Sequence, residues 1–209
     1  MPASLPPTVY LVDDDPAVRK SLSRLLRAKG WSVETFESAE AVLALPNFPS
    51  PSCLVLDVSL PGLDGLELQR RLAQTERTPP IVFLTAYGDI PMTVRAMQGG
   101  AVDFLTKPVK AAVLLRAVQA AVDRDAAARL EGDALGELKR RFESLTERER
   151  QVFAAVASGR LNKQIAGDLR IVEQTVKFHR ARLMERMHAR TAAELMHIAA
   201  KLGVGSEPR

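Results

Sequence analysis

The sequence predicts an α/β domain with a five-stranded parallel sheet, followed by a small domain made only of helices. Five short apolar segments, rich in β-branched and aromatic residues, alternate with stretches that carry apolar residues at helical spacing. The formal charge is −1 over residues 1–125, where this alternation ends, and +5 over residues 126–209, where the patterns are helical only. We therefore expect a first domain over residues 1–125, a helical linker over 126–144 and a second domain over 145–209.

The five apolar segments are predicted strands buried on both faces, because they are almost continuously apolar. The helices between them would then cover both sides of a parallel sheet. Gly and Pro residues mark the joins between these elements. The predicted strands cover residues 8–13, 32–36, 52–57, 81–85 and 102–105.

The composition excludes several classes of protein. A single cysteine, Cys53, excludes a disulfide framework, and with only three histidines it also excludes a zinc finger. No apolar run approaches the length of a membrane span, and the N-terminus does not resemble a secretion signal. We expect a soluble, cytoplasmic protein with no membrane partner.

Polar side chains follow several of the predicted strands at the ends where parallel strands share one edge. Asp13 and Asp14 end the first strand, Asp57 the third and Thr85 the fourth, and Lys107 follows the fifth. Ligands bind at this edge of open parallel sheets. Clustered carboxylates repel one another unless a cation lies among them, and oxygen ligands of this kind suit Mg²⁺. A hydroxyl and an ammonium nearby favour a phosphoryl group carried on a carboxylate.

These residues and two longer motifs resemble the receiver domain of bacterial two-component response regulators, of the NarL/FixJ group. The motifs are LDVSLPGLDGLEL and TAYGDIPMTVRAMQGGAVDFLTKP, and the resemblance covers residues 8–122. It implies a flavodoxin-like, doubly wound sheet with strand order 2-1-3-4-5. It also implies that Asp57 is the phosphoacceptor, and that Asp13, Asp14, Asp57 and the backbone carbonyl of Ser59 hold Mg²⁺.

The same resemblance implies a switch beside the phosphoacceptor. Lys107 would pair with the phosphoryl group, and Thr85 would hydrogen-bond it and move on activation. Phe104 stands at the position of the family's switch aromatic residue. Ser59 and Tyr87 flank the site where the family tunes the lifetime of the phosphoryl group.

Other acidic residues and the linker have simpler interpretations. Asp15 and Asp64 are predicted helix N-caps, and Cys53 is predicted to be a buried, unreactive thiol. The linker is predicted to continue the fifth helix, with a break near Gly132 or Gly136 as an option. Its apolar residues span about two heptads, so a solvated single helix is favoured over a dimeric coiled coil.

The second domain shows the signals of four short helices. Thr146 and Glu149 form a predicted capping box, and Asn162 is a predicted cap for a helix over residues 163–169. A basic helix is expected over about 173–187, and a last helix from the cap Thr191 to residue 202. Two helices joined by a tight turn, the second one basic, are typical of a helix-turn-helix.

The run LTERERQVFAAVASGRLNKQIAGDLRIVEQTVKFHRARLMERM resembles LuxR-type DNA-binding domains over residues 145–203. The resemblance implies that Lys177 and Phe178 face base edges in the major groove. The sequence departs from the family where Val172 replaces the usual Ser cap of the recognition helix, and where Ala181 replaces a long polar residue. Candidates for phosphate contacts are Asn162, Lys163, Thr175, His179, Arg180 and Arg182.

Together the two resemblances imply a transcription regulator switched by phosphorylation. A sensor histidine kinase would phosphorylate Asp57, and the protein would bind double-stranded promoter DNA and act on RNA polymerase. Phosphorylation would drive homodimerisation through the fourth helix, fifth strand and fifth helix, where Arg95 and Asp103 are candidates to pair across the two-fold axis. Release of the DNA-binding domain from its own receiver is the other option.

Two other functions fit parts of the sequence. A phosphohydrolase of the haloacid-dehalogenase kind would use Asp13 as its nucleophile, within the pattern Asp-x-Asp. Against this enzyme, Ala17 replaces the expected Thr or Val, and no acidic pair follows Lys107 before Asp123. A regulator held in one state and insensitive to phosphate is the other option, and the intact set of strand-end residues disfavours it.

Overall fold

The computed structural model describes residues 6–48, 51–75, 78–86 and 88–204. The chain divides into two compact units, Met1–Arg129 and Leu130–Arg209. The extents of the linker and of the two domains remain predictions. Within the described ranges, the helices lack the combination of length and apolar character that crossing a membrane would require.

The first unit contains the predicted five-stranded parallel sheet, and the predicted strand order 2-1-3-4-5 is confirmed. The first strand ends at Val12, so Asp13 lies just after it, and the last strand is shifted by one residue from its prediction. The strands are β1 (Thr8–Val12), β2 (Ser32–Phe36), β3 (Ser52–Asp57), β4 (Ile81–Thr85) and β5 (Asp103–Thr106).

Helices follow the strands in alternation, and side chains cap several of their N-termini. Asp15 and Asp64 accept backbone hydrogen bonds at the starts of the helices that begin at Pro16 and Gly65, as predicted. Both faces of the sheet are covered, because alternate residues of β1 belong to different buried clusters. The helices are α1 (Pro16–Arg27), α2 (Ala39–Leu43), α3 (Gly65–Leu72), α4 (Ile90–Gln98) and α5 (Ala111–Glu143).

Helix α5 runs without a break through Gly132 and Gly136. Its part in the first unit is attached to the start of β3 by a buried ion pair. Asp125 Oδ2 accepts from the Ser52 backbone N–H over 2.7 Å and from Arg129 Nε over 2.6 Å. Arg129 Nη2 also donates to the carbonyl of Phe48 over 2.6 Å. These bonds hold the sheet edge opposite the strand-end carboxylates.

In the described part of the second unit, four helices and the end of α5 around Phe142 pack around one apolar core. The capping box of Thr146 and Glu149 is confirmed, and so is the cap Thr191. Val172 takes the N-cap position of the helix that begins at Glu173. It makes no side-chain hydrogen bond there, because valine has no polar side-chain atom. The helices are α6 (Glu147–Ala157), α7 (Asn162–Leu169), α8 (Glu173–Arg186) and α9 (Ala192–Leu202).

The prediction that Asn162 caps α7 is wrong. Leu161 takes the cap position, and the side chain of Gln164 accepts its backbone N–H over 2.8 Å. Asn162 is the first residue of the helix, and its Oδ1 accepts a hydrogen bond from Arg180 instead. Local sequence favoured Asn162, but a partner from another helix engages its side chain.

Candidate functional site

The carboxyl edge of the sheet brings together two carboxylates and an ammonium from three different strands. Asp13 follows β1, Asp57 is the last residue of β3, and Lys107 follows β5. Lys107 Nζ lies 2.6 Å from Asp13 Oδ2 and 2.5 Å from Asp57 Oδ2, so it bridges the two carboxylates. The predicted convergence of these three residues on one edge is therefore found in the structure.

Backbone groups hold the second oxygen of each carboxylate. Asp13 Oδ1 accepts from the N–H of Asp15 and Asp57 Oδ1 from the N–H of Ser59, both over 3.0 Å. A Cβ at Gly65 would lie 2.4 Å from the carbonyl oxygen of Asp57. Only glycine therefore lets α3 begin this close to the end of β3.

Arg19 is a contributor that the sequence did not single out. Its Nη1 donates to the carbonyl oxygen of Asp13 over 2.6 Å, from the first turn of α1. This bond fixes the backbone between the strand end and the helix. A lone arginine on a helix gives no sequence signal of such a contact.

Burial sets the electrostatics of this edge. The Asp13 side chain is 2% exposed and that of Asp57 6%, whereas Lys107 keeps 20%. Burial raises the pKa of Asp13, and the hydrogen bond from Lys107 opposes that effect without cancelling it. Burial by itself would lower the pKa of Lys107, but the two carboxylates outweigh it and raise that pKa overall. Two carboxylates share one ammonium at this edge, so negative charge exceeds positive charge there.

The donor set fits a divalent cation. One carboxylate oxygen each from Asp13, Asp14 and Asp57 lies within 4.8 Å of the others, and Asp14 is exposed to solvent. Ligands made only of oxygen, open to water on one side, are typical of Mg²⁺ sites. The residues present therefore fit the predicted metal. Ser59 is next to this cluster, and the predicted role of its carbonyl remains a prediction.

Thr85 and Phe104 lie on the neighbouring strands. Thr85 ends β4 and is fully buried, and its carbonyl accepts the N–H of Lys107 over 2.7 Å. Phe104 is half-buried, with its ring centroid 6.0 Å from that of Phe83. A Cβ at Gly88 would lie 2.9 Å from the Phe104 ring, so this glycine gives the ring its space. Tyr87 lies outside the described residues.

The two candidates for dimer contacts lie on adjacent elements. Arg95 is exposed on α4. Asp103 begins β5, is half-buried, and its Oδ1 accepts from the N–H of Phe104 over 2.8 Å. Their pairing across a two-fold axis remains a prediction.

In the second unit, α8 presents a polar and aromatic surface away from its buried side. Val176 and Leu183 are fully buried, whereas Lys177 is exposed and Phe178 keeps 54% of its surface. The guanidinium carbon of Arg182 lies 5.0 Å from the centre of the Phe178 ring. The contacts of Lys177 and Phe178 with base edges remain a prediction.

The remaining candidates for DNA contacts have different surroundings. Lys163 is exposed, while Thr175 and His179 are half-buried. Arg180 Nη1 donates to Asn162 Oδ1 over 2.9 Å, so these two candidates bind each other.

Comparison with known proteins agrees with this geometry. Residues 9–119 match the family described as the response regulator receiver domain. The chain is a response regulator. Residues 143–199 of the response regulator match a second family, the bacterial regulatory proteins of the LuxR family. It therefore combines a receiver domain with a LuxR-type DNA-binding domain.

The relatives that match over most of their length include a protein described as a transcriptional regulatory protein. Nodulation protein W of Bradyrhizobium diazoefficiens is 46% identical, with 98% of this chain and 90% of that protein covered. The transcriptional regulatory protein FixJ of Rhizobium meliloti is 40% identical, with 95% and 97% covered. The solved structure of the response regulator StyR is 45% identical with a TM-score of 0.84, covering 94% of this chain and all of that one. The response regulator is thus a transcription regulator, and the phosphohydrolase alternative is not supported.

Proposed function

We propose that the response regulator accepts a phosphoryl group on Asp57 from a sensor histidine kinase. The observation that carries this proposal is the Asp57 carboxylate, buried at the carboxyl edge of the sheet and bridged to Asp13 by Lys107. A buried carboxylate with one hydrogen-bonded oxygen and an adjacent ammonium is arranged as an oriented nucleophile.

The transfer would move the phosphoryl group from a histidine nitrogen to the Asp57 carboxylate. A carboxylate oxygen attacks phosphorus, the bond from nitrogen to phosphorus breaks, and the electron pair stays with the departing imidazole. The Ser59 N–H holds Asp57 Oδ1, and the Lys107 ammonium, which contacts Asp57 Oδ2, would hold a phosphoryl oxygen. Mg²⁺ held by Asp13, Asp14, Asp57 and the Ser59 carbonyl would supply positive charge for the transfer.

The new negative charge would act on the switch residues. Thr85 would hydrogen-bond the phosphoryl group, and Phe104 would change its packing with it. A homodimer through α4, β5 and α5 would follow, with Arg95 and Asp103 as candidate contacts. Release of the DNA-binding unit is the other consequence open to the same chemistry.

The second unit would carry the output. Lys177 and Phe178 would read base edges of promoter DNA in the major groove, and a dimer would present two such helices to a two-fold-related site. We expect these events in the cytoplasm, with RNA polymerase as a further partner. Phosphate contacts are proposed for Lys163, Thr175, His179 and Arg182.

The experiment locates the phosphoryl group and follows its effect. The chain is incubated with an acyl phosphate and Mg²⁺, and the modified residue is mapped by peptide mass spectrometry. We expect modification at Asp57 in the wild type and in Asp64→Asn, a matched control because asparagine caps α3 as well as aspartate does. In the wild type, phosphorylation should increase dimerisation and affinity for DNA. Asp57→Ala should show neither the modification nor these two increases.

A phosphoryl group found on Asp13 would contradict this proposal and would favour a hydrolase. An unchanged response of DNA binding in Asp57→Ala would refute the switch.

A further inference from the structure

Asn162 and Arg180 belong to different helices of the second unit and hydrogen-bond to each other. Asn162 is the first residue of α7, and Arg180 lies in the middle of α8. Arg180 Nη1 donates to Asn162 Oδ1 over 2.9 Å, and both residues are half-buried. A hydrogen bond with a charged donor is stronger than one between neutral groups.

Arg180 lies on the core-facing side of α8. It is four residues after Val176 and three before Leu183, and both of those side chains are fully buried. Residues at these spacings share one face of a helix. Phe178 is two residues before Arg180 and therefore lies on the opposite, exposed side of the helix, whereas the exposed Lys177 lies next to Arg180, three residues before it. The Arg180 side chain thus connects the buried side of α8 to α7.

Asn162 is not used to close the end of its own helix. Leu161 is the cap residue, and Gln164 satisfies its N–H. The turn between the two helices is short, and Val172 gives α8 no side-chain cap. The Asn162–Arg180 bond is therefore a polar link between α7 and α8.

We propose that Asn162 and Arg180 are positioning residues for DNA binding. Their hydrogen bond fixes the angle between α7 and α8, and with it the direction in which Lys177 and Phe178 meet the DNA. This inference rests on the proposed DNA-binding surface. It assigns the two residues one shared task in place of two separate phosphate contacts.

The test measures binding of the full-length chain to a duplex of about 30 base pairs, selected by the wild type from a random pool. Asn162→Ala and Arg180→Met should each weaken binding about five- to tenfold. The double variant should bind no more weakly than the weaker single variant, because both changes remove the same bond. The salt dependence should keep its slope in Arg180→Met, since no phosphate contact is lost.

The matched control is Lys163→Ala, the next residue of α7, which is exposed and proposed to touch phosphate. The loss of DNA affinity in Lys163→Ala should add to the loss in Asn162→Ala. Lys163→Ala should also reduce the slope of the salt dependence by about one. Without DNA, amide hydrogen exchange in the first turn of α7 should be faster in Asn162→Ala and Arg180→Met, and unchanged in Lys163→Ala. Asn162→Asp keeps an acceptor oxygen and should retain the protection of the wild type.

The positioning role would be overturned by three results together. The losses of DNA affinity would be additive in the double variant, and the salt slope would fall by about one in Arg180→Met. Amide hydrogen exchange without DNA would be the same in the variants as in the wild type. DNA binding itself would survive that result. Failure of the wild type to bind any duplex would instead contradict the proposed function.

Discussion

At the scale of single residues, the chemistry of the receiver depends on how few positive charges face its carboxylates. Asp13 and Asp57 share the ammonium of Lys107, and Asp14 adds a third carboxylate to the same cluster. Burial raises the pKa of Asp13 even with Lys107 in place. The cluster is therefore prepared to gain a cation, because added positive charge relieves repulsion that the protein does not fully compensate.

Replacing Lys107 tests this balance. Lys107→Ala should destabilise the first unit by about 2 kcal/mol. This cost is smaller than that of breaking a fully buried ion pair, because the Lys107 side chain is 20% exposed. Mg²⁺ should then stabilise the variant more than the wild type, since the cluster is more negative. Thermal unfolding with and without Mg²⁺ measures both effects. Lys110→Ala, at an exposed lysine nearby, is the control, and equal gains from Mg²⁺ in all three proteins would refute the argument.

At the scale of elements, the start of α6 shows how a buried carboxylate is stabilised in its charged form. Glu149 is 2% exposed and accepts from the N–H and the hydroxyl of Thr146 over 2.8 and 2.9 Å. Arg186 of α8 lies 3.5 Å away. Burial by itself would raise the pKa of Glu149, but the two Thr146 hydrogen bonds and the nearby arginines lower it overall.

The lowered pKa predicts a pH dependence of the second unit. A carboxyl group with a lowered pKa in the folded state stabilises the fold above its ordinary value of 4.5, and this contribution is lost as pH falls through the folded value. Glu149→Gln should cost about 1 kcal/mol at neutral pH and should lack this part of the acid dependence. Urea unfolding as a function of pH is the measurement. Glu147→Gln, exposed in the same turn, is the control, and an unchanged acid profile in Glu149→Gln would contradict the assignment.

At the scale of the whole molecule, the chain forms two units with separate apolar cores. The first unit is closed at the edge opposite the functional site by Asp125 and Arg129, whose side chains are 7% and 11% exposed. Removing one member of a buried ion pair costs far more than removing an exposed one. Because each unit has its own apolar core, a substitution in the interior of one unit should change the free energy of unfolding of that unit only.

Calorimetry tests this separation. We expect two unfolding transitions. Asp125→Ala should lower the free energy of unfolding of the first unit only, by about 3 kcal/mol, because the buried guanidinium of Arg129 loses its carboxylate partner. Asp123→Ala, exposed on the same helix, should shift neither transition by a comparable amount. Glu149→Gln should lower the other transition. Equal shifts of both transitions by either variant would show that the units unfold as one.

The amino-acid sequence by itself determined the strands, their parallel arrangement and the set of residues at the carboxyl edge. Lys107 and Asp13 are 94 residues apart, yet their meeting could be predicted, because the ends of parallel strands share one edge. The caps Asp15, Asp64 and Thr146 were predictable as well, because each acts within three residues of its own position.

Only the tertiary structure decided the contacts that depend on how helices cross and pack. Asn162 carries a local capping signal, but Arg180 from another helix engages it. Asp125 and Arg129 likewise gain their roles from Ser52 and Phe48, which lie 73 and 81 residues away from them in the chain. The physical reason is that periodicity reports which face of an element is buried, whereas a side-chain hydrogen bond depends on angles and distances that only the packed core sets.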